Sequence, residues 1–372
     1  MHSSLGSLAM KRWIAAVCFV FATPAAAQDY AVRYMWAQDG DSAVGERVEA
    51  DPRYAFPSGV AYERYGRARD GNYSIDVGPG GREELRNSGA LVTAYGSDAI
   101  CTTDLPSSVR CFGPATAEPD GALIGLTTQF SYLMVSAPSS EAANVAHVFV
   151  DPHGGVSPAA FLGTDRADTP MQVLSRGRYR VAVGAAAGEE SVVLVTTAFD
   201  AVGDCNPVSW GFNSVVVGCY ATNSATPTDH RFRIVAISGR GGDIDYLMQG
   251  SRTATPRVVA SRSGNGGEIA QNVVRRDVGY YDVTLGASAD PGGHVQIDAY
   301  GGPGRCSIDS WGNKHVYVRC TQNGVPADTP FVVLGIPPRT ARMHGPDLSY
   351  DPDDRPDIEL PPPPRPTRPT DD

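Results

Sequence analysis

The 372-residue chain carries 31 Lys and Arg against 41 Asp and Glu, a formal net charge of −10, with 42% hydrophobic residues, 41 Gly and 29 Pro. An acidic balance argues against nucleic acid or an anionic membrane surface as a partner. Beyond the N-terminal region, no segment approaches the ~20 consecutive apolar residues of a spanning helix, and the length is ample for a substantial core.

The first element is a secretory signal over residues 1–27. Lys11 and Arg12 precede an apolar stretch from Trp13 to Phe21, and Ala25-Ala26-Ala27 offers small residues for cleavage. Its removal would take away Cys18 and shift the net charge from −10 to −12. The mature protein is therefore expected outside the cytoplasm, secreted or periplasmic.

Downstream, the phrase Gly-x-Tyr-x-Φ-x-Φ-Gly, with Φ an Ile, Val or Leu, occurs at Gly71, Gly177 and Gly279. Intervals of 106 and 102 residues point to one structural unit present three times. Other anchors keep step. Ala94-Tyr95, Ala198-Phe199 and Ala299-Tyr300 each stand seven residues before a cysteine, and each such cysteine has a second one downstream. Asp120, Asp229 and Asp328 each precede an apolar residue that starts a strand, and Tyr34-Met35-Trp36, Tyr132-Leu133-Met134 and Tyr246-Leu247-Met248 open the copies. The copies are read as residues 30–127, 128–240 and 241–336. From Pro337 onward lies a tail, residues 337–372, with 11 of the 29 prolines, expected to be an extended or disordered spacer.

Tyr73, Ile75 and Val77 alternate with polar residues, as do Tyr179, Val181 and Val183 and Tyr281, Val283 and Leu285. Period two marks half-buried strands, with the three tyrosines packing inward. The expected class is all-β, with antiparallel sheets. Two meanders per copy would give a six-bladed propeller-like ring; the alternative is three immunoglobulin-like sandwiches in a row.

The cysteines define hairpins. Phe212 lies midway between Cys205 and Cys219, Asn313 midway between Cys306 and Cys320, and Pro106 midway between Cys101 and Cys111. Residues opposed across an antiparallel pair have Cα atoms ~4.5–5.5 Å apart, inside the ~4.4–6.8 Å a disulfide accepts. Of 15 pairings open to six cysteines, the repeat selects 101–111, 205–219 and 306–320, which an exported chain would oxidise.

The Gly-x-Tyr strand, the Val-x-x-x-Ala-Tyr-Gly strand from Val295 to Gly301, Cys-x4-Trp-Gly, Val-x-Cys and Asp-x-x-Phe-x-Val together resemble a group of exported bacterial tandem β-repeat proteins common in actinobacteria. The likeness spans residues 30–336. It implies export, tandem β repeats and paired cysteines, and no catalytic residue. The first copy departs from it, with no Trp after Cys101 and a hairpin four residues shorter.

No Gly-x-Ser-x-Gly elbow, His-Glu-x-x-His helix or phosphate loop occurs. His147, His153, His230, His294 and His315 are scattered singly. Asp151-Pro152-His153-Gly154-Gly155 reads as a turn. Asp39 with Asp41, and Asp243 with Asp245, place two carboxylates near each other, as calcium would need; no other cofactor is indicated. Trp210 and Trp311, at odd offsets from the cysteines before them, are placed on the outer sheet face as a platform for sugar or peptide; Trp36 is read as buried. The expected function is non-catalytic binding or scaffolding at the envelope or outside the cell, with an unidentified glycan or protein ligand. The alternative is a secreted hydrolase or lyase acting on a polysaccharide or ester through carboxylates of different copies.

Overall fold

The computed structural model describes residues 31–38, 42–50, 53, 55–56, 60–65, 71–76, 88–97, 99–103, 107–117, 123–125, 128–136, 145–153, 155–156, 171–188, 190–198, 203–238, 244–263 and 272–338. The signal, Pro106, Asp39, Asp41, Asp120, Asp243 and the tail beyond residue 338 lie outside them. Among the described residues the chain is all-β, with no α-helix and short 3-10 turns at Gly184–Ala187 and Gly286–Ala289.

The strands fall into three groups, each with two facing layers; they form five sheets, none closed on itself, because the parallel bridge between Ile308 and Tyr95 joins a layer of the third group to one of the first in a single nine-stranded sheet. In residues 145–238 one sheet has the order Gly155–Val156, Val145–Asp151, Phe232–Ser238, Ser191–Thr197; the other runs Met171–Ser175, Arg178–Ala182, Ser214–Ala221, Gly203–Gly211. Val148, Val193, Phe232 and Ile234 of the first sheet face Tyr179, Val181, Val217 and Cys219 of the second across one core. In residues 244–336 the sheet of Asp245–Gln249, Phe331–Ile336 and His294–Ala299 likewise faces that of Tyr280–Thr284, His315–Gln322 and Arg305–Gly312. The first group matches, with Ala31–Ala37, Gln129–Ser136 and Ser88–Tyr95 facing Ala61–Tyr65, Gly71–Asp76 and Ser108–Ala117.

The opposite faces of the first-named sheets meet in a further core, built from Val32, Tyr34 and Leu133 of the first group, Val145, Leu194 and Val235 of the second, and Tyr246, Val332 and Leu334 of the third. These strands are buried on both faces, so Ser191–Thr197, Phe232–Ser238 and Phe331–Ile336 are buried at every residue, and their apolar residues do not alternate with polar ones. Close approach requires a residue without a side chain at Gly89, where a Cβ would lie 2.6 Å from the His147 ring.

Contacts between groups follow a cycle. Thr103 forms a parallel bridge to Ala198, the Gly301 amide donates to the Pro207 carbonyl at 2.9 Å, and Ile308 bridges Tyr95 with the Gly96 amide donating to its carbonyl at 2.8 Å. Thr103, Pro207 and Ile308 each stand two residues after the first cysteine of their hairpin.

Two sequence anchors meet in the fold. The Tyr281 hydroxyl and the Gly279 amide both donate to Asp328 Oδ1, at 2.9 and 3.1 Å; Tyr179 and Gly177 do the same with Asp229. Gly177 and Gly279 have φ of +65° and +67°, and a Cβ there would meet the Cys219 or Cys320 carbonyl at 2.6 or 2.3 Å, hence the repeated glycine.

Two expectations are corrected. The four-stranded meander of a propeller blade does not form: the Ala-aromatic strand and the Asp-x-x-Phe strand pair with each other, while the two cysteine strands join the Gly-x-Tyr strand in the facing sheet. The Tyr132-Leu133-Met134 phrase does not open a second group. Its strand, Gln129–Ser136, pairs with Ala31–Ala37 on one side and Ser88–Tyr95 on the other, completing the first. The apolar run there looked like an opener because a closing strand buried on both faces has the same composition.

Candidate functional site

All three expected disulfides are present, Cys101–Cys111, Cys205–Cys219 and Cys306–Cys320, each between directly opposed strand residues with Cα separations of 4.0 to 4.1 Å. They are the chemistry of an oxidising compartment. Among the described residues no helix is long and apolar enough to cross a membrane. The turns expected at Phe212 and Asn313 lie there: Phe212-Asn213 have φ of 48° and 64°, Asn313-Lys314 of 52° and 69°, as a type I′ hairpin demands.

The tryptophans do not form an outer platform. Bulges between Pro207 and Ser209 and between Ile308 and Ser310 add one residue to each strand, which turns every later side chain over. Trp210 is therefore opposite Val215, and Trp311 opposite Val316, on the core side. Both are half-buried. Trp210 donates to the Ser191 carbonyl at 3.1 Å and meets Tyr300 at 5.3 Å between centroids; Trp311 meets Trp36 at 5.6 Å and Tyr95 at 5.1 Å. These contacts join the second group to the third and the third to the first.

A cavity of about 70 Å3 lies where the three groups converge, lined by Cys101, Cys205 and Cys306 and by polar residues that do not repeat. Asp298 accepts from the Val195 amide at 2.8 Å; burial, and next the nearby Asp204 charge, hold its carboxyl well above the usual range. Arg305 grips Asp204 with Nε and Nη2, both at 2.9 Å. The Asn206 amide donates to the Gly302 and Gly304 carbonyls at 3.0 and 2.8 Å. A neighbouring network joins Thr93, Ser131, His294 and Gln296: Gln296 Oε1 accepts from Thr93 at 2.7 Å, and its amide lies 3.0 Å from His294 Nε2. That nitrogen is the acceptor, so the ring is neutral, and burial lowers its pKa to about 3. Burial and then Arg233, 3.4 Å away, hold His147 well below its ordinary value.

The outer face of the sheet in residues 272–322 is chemically distinct. His315 Nδ1 lies 2.6 Å from Asp282 Oδ1, and Arg276 donates to Oδ2 at 2.6 Å. Burial opposes ionisation of Asp282, but the Arg276 and His315 hydrogen bonds outweigh it and keep its carboxyl below the usual range. Tyr280 lies nearly parallel to Tyr317 (16°), and His315 to the same ring (19°), with centroids 6.5 Å apart in both cases. Asp309 accepts from Tyr280 at 3.3 Å and from Arg319 at 2.6 Å. Sequence reading missed this cluster because its members come from four strands; the signal that could have found Tyr280 and Tyr317 is their alternation with the inward Tyr281 and Val318.

The calcium reading is not supported at Asp245, which is buried and accepts from the Ser288 amide and hydroxyl, anchoring the 3-10 turn at Gly286–Ala289. Among the described residues no group of three or more His, Cys, Asp or Glu is arranged for a metal ion. Asp151 holds the His153 amide at 3.0 Å and Arg231 at 2.9 Å, a turn. Comparison with protein-family models, curated proteins and solved structures finds no match to this chain.

Proposed function

We propose that the chain is an exported, non-catalytic protein in which three copies of a two-sheet unit, residues 31–136, 145–238 and 244–336, close into a ring and present outer surfaces for binding or scaffolding at the envelope. The cyclic contacts after each first cysteine and the shared central core support the ring. The observation that carries the binding reading is the use made of the convergent polar residues. Asp298, Asp204, Arg305, Asn206, His294 and Gln296 each hydrogen-bond to a residue of another group or to one another across a group boundary, so they serve cohesion. A cavity of about 70 Å3 is far below the ~300 Å3 of an ordinary ligand pocket. One observation favours the hydrolase alternative: Asp298, whose carboxyl burial holds well above the usual range, and Asp204, from two groups, line one cavity, as a pair of carboxyls in unlike environments.

Cosedimentation with purified cell-wall material, beside turnover assays on polysaccharide and ester panels, tests the proposal. The expected outcome is retention without turnover. Turnover abolished by Asp298→Asn would replace the binding reading with the hydrolytic one.

A further inference from the structure

The outer face carrying Tyr280, Tyr317 and His315 has features that the fold does not need. At the matching positions of residues 171–221 the chain places Arg178 for Tyr280, Arg180 for Asp282, Val216 for Tyr317 and Ser214 for His315, on strands with the same pairing. The row of rings is thus not demanded by sheet packing. All three rings are partly exposed, and Val274 and Val278, 39% and 47% exposed, border them at the sheet edge.

The geometry points to a neutral, hydroxyl-rich glycan chain as the ligand of this face, its sugar rings lying on Tyr280 and Tyr317 and its hydroxyls bonding to Asp309 and His315, with the buried Asp282 holding His315 in place. The inference rests on the binding reading and names its ligand class. Near-parallel aromatic rings offer apolar faces to the C–H side of a pyranose. Arg276 and Arg319 cancel the charge of Asp282 and Asp309, so no net charge attracts an ion. Arg319 also fixes the partly exposed Asp309 carboxylate in place, leaving lone pairs for hydroxyl donors. With its Nδ1 against Asp282, His315 is left with Nε2 as a further hydrogen-bonding atom.

The test uses the full mature chain with neutral hexasaccharides of glucose, xylose, mannose and N-acetylglucosamine, and polygalacturonate as the anionic control, measured by titration calorimetry. We expect binding to at least one neutral hexasaccharide, weakened about tenfold or more by Tyr317→Ala and by Tyr280→Ala, as loss of a stacked ring entails. Melting temperatures identify any variant that fails to fold, and the other ring substitution then decides. Absence of binding to every neutral hexasaccharide, unchanged affinity in the folded ring variants, or binding to polygalacturonate alone overturns the inference. Cell-wall cosedimentation that persists in the double variant Tyr280→Ala/Tyr317→Ala would refute this face while leaving the broader reading intact; loss of cosedimentation in the unaltered chain would refute both.

Discussion

Acid should loosen this protein through two histidines it keeps neutral. His294 and His147 are fully buried, and the shortest contact of each Nε2 is with a donor that cannot accept in return, Gln296 Nε2 at 3.0 Å and Arg233 at 3.4 Å, the Ser131 hydroxyl standing further from His294 at 3.3 Å. Protonation would set a hydrogen against a hydrogen. The folded pKa of each is lowered, to about 3 for His294, so below the ordinary ~6.5 the unfolded chain takes up protons that the folded chain refuses, and stability is lost as pH falls. Asp298 acts in the opposite sense. Its folded pKa is raised, so above ~4 the folded chain holds a proton that the unfolded chain releases, and acidification favours folding. His147 adds to this loss and Asp298 subtracts from it; for His294 alone, with its folded value near 3, the loss is about 2 kcal/mol between pH 6.5 and 4.5. That is a large share of the ~5–15 kcal/mol a domain commonly has. Denaturant midpoints followed by tryptophan fluorescence at fixed m value measure it. His294→Gln should flatten the dependence, and Asp298→Asn should steepen it. A wild-type midpoint that stays level or rises from pH 6.5 to 4.5, or a His294→Gln slope equal to wild type, would refute the argument.

Other consequences follow from single contacts. Tyr281→Phe removes a hydroxyl bound to the Asp328 carboxylate and should lower stability by ~1.5–3 kcal/mol, with Tyr179→Phe giving a similar loss read by the same denaturation curves. Deleting Val208, the extra residue of the bulge, should throw Trp210 outward and red-shift its emission; an unshifted spectrum would count against the bulge as the cause of its burial. Phe212 is 99% exposed at φ 48°, so Phe212→Gly should raise stability by ~0.5–1 kcal/mol by relieving backbone strain, measurable as a higher melting temperature. Peptide mapping of an unreduced digest should recover three bridges, and separating Cys306 from Cys320 by Cys320→Ser should cost up to ~3 kcal/mol for a closed loop of 14 residues.

What could be read from the chain itself was whatever depends on neighbours close in sequence. The alternation around Tyr73, Tyr179 and Tyr281, the turns at Phe212-Asn213 and Asn313-Lys314 and the three cysteine pairs are all fixed by spans of about ten residues, because strand period, turn conformation and hairpin register are local properties. One inserted residue defeated the same logic at Trp210 and Trp311: a bulge has no compositional mark, yet it reverses the face of everything after it. Tyr132-Leu133-Met134 was misplaced for a related reason, since a strand covered on both sides has no alternation to tell opener from closer. The cavity with Asp298, the His294 network and the His315-Asp282 face escaped altogether. Their partners stand 33 to 165 residues apart: the pairing of neighbouring strands in one sheet joins His315 to Asp282, while the packing of separate strand groups against one another brings the Asp298 and His294 partners within hydrogen-bonding reach and removes the water that would otherwise set their charge.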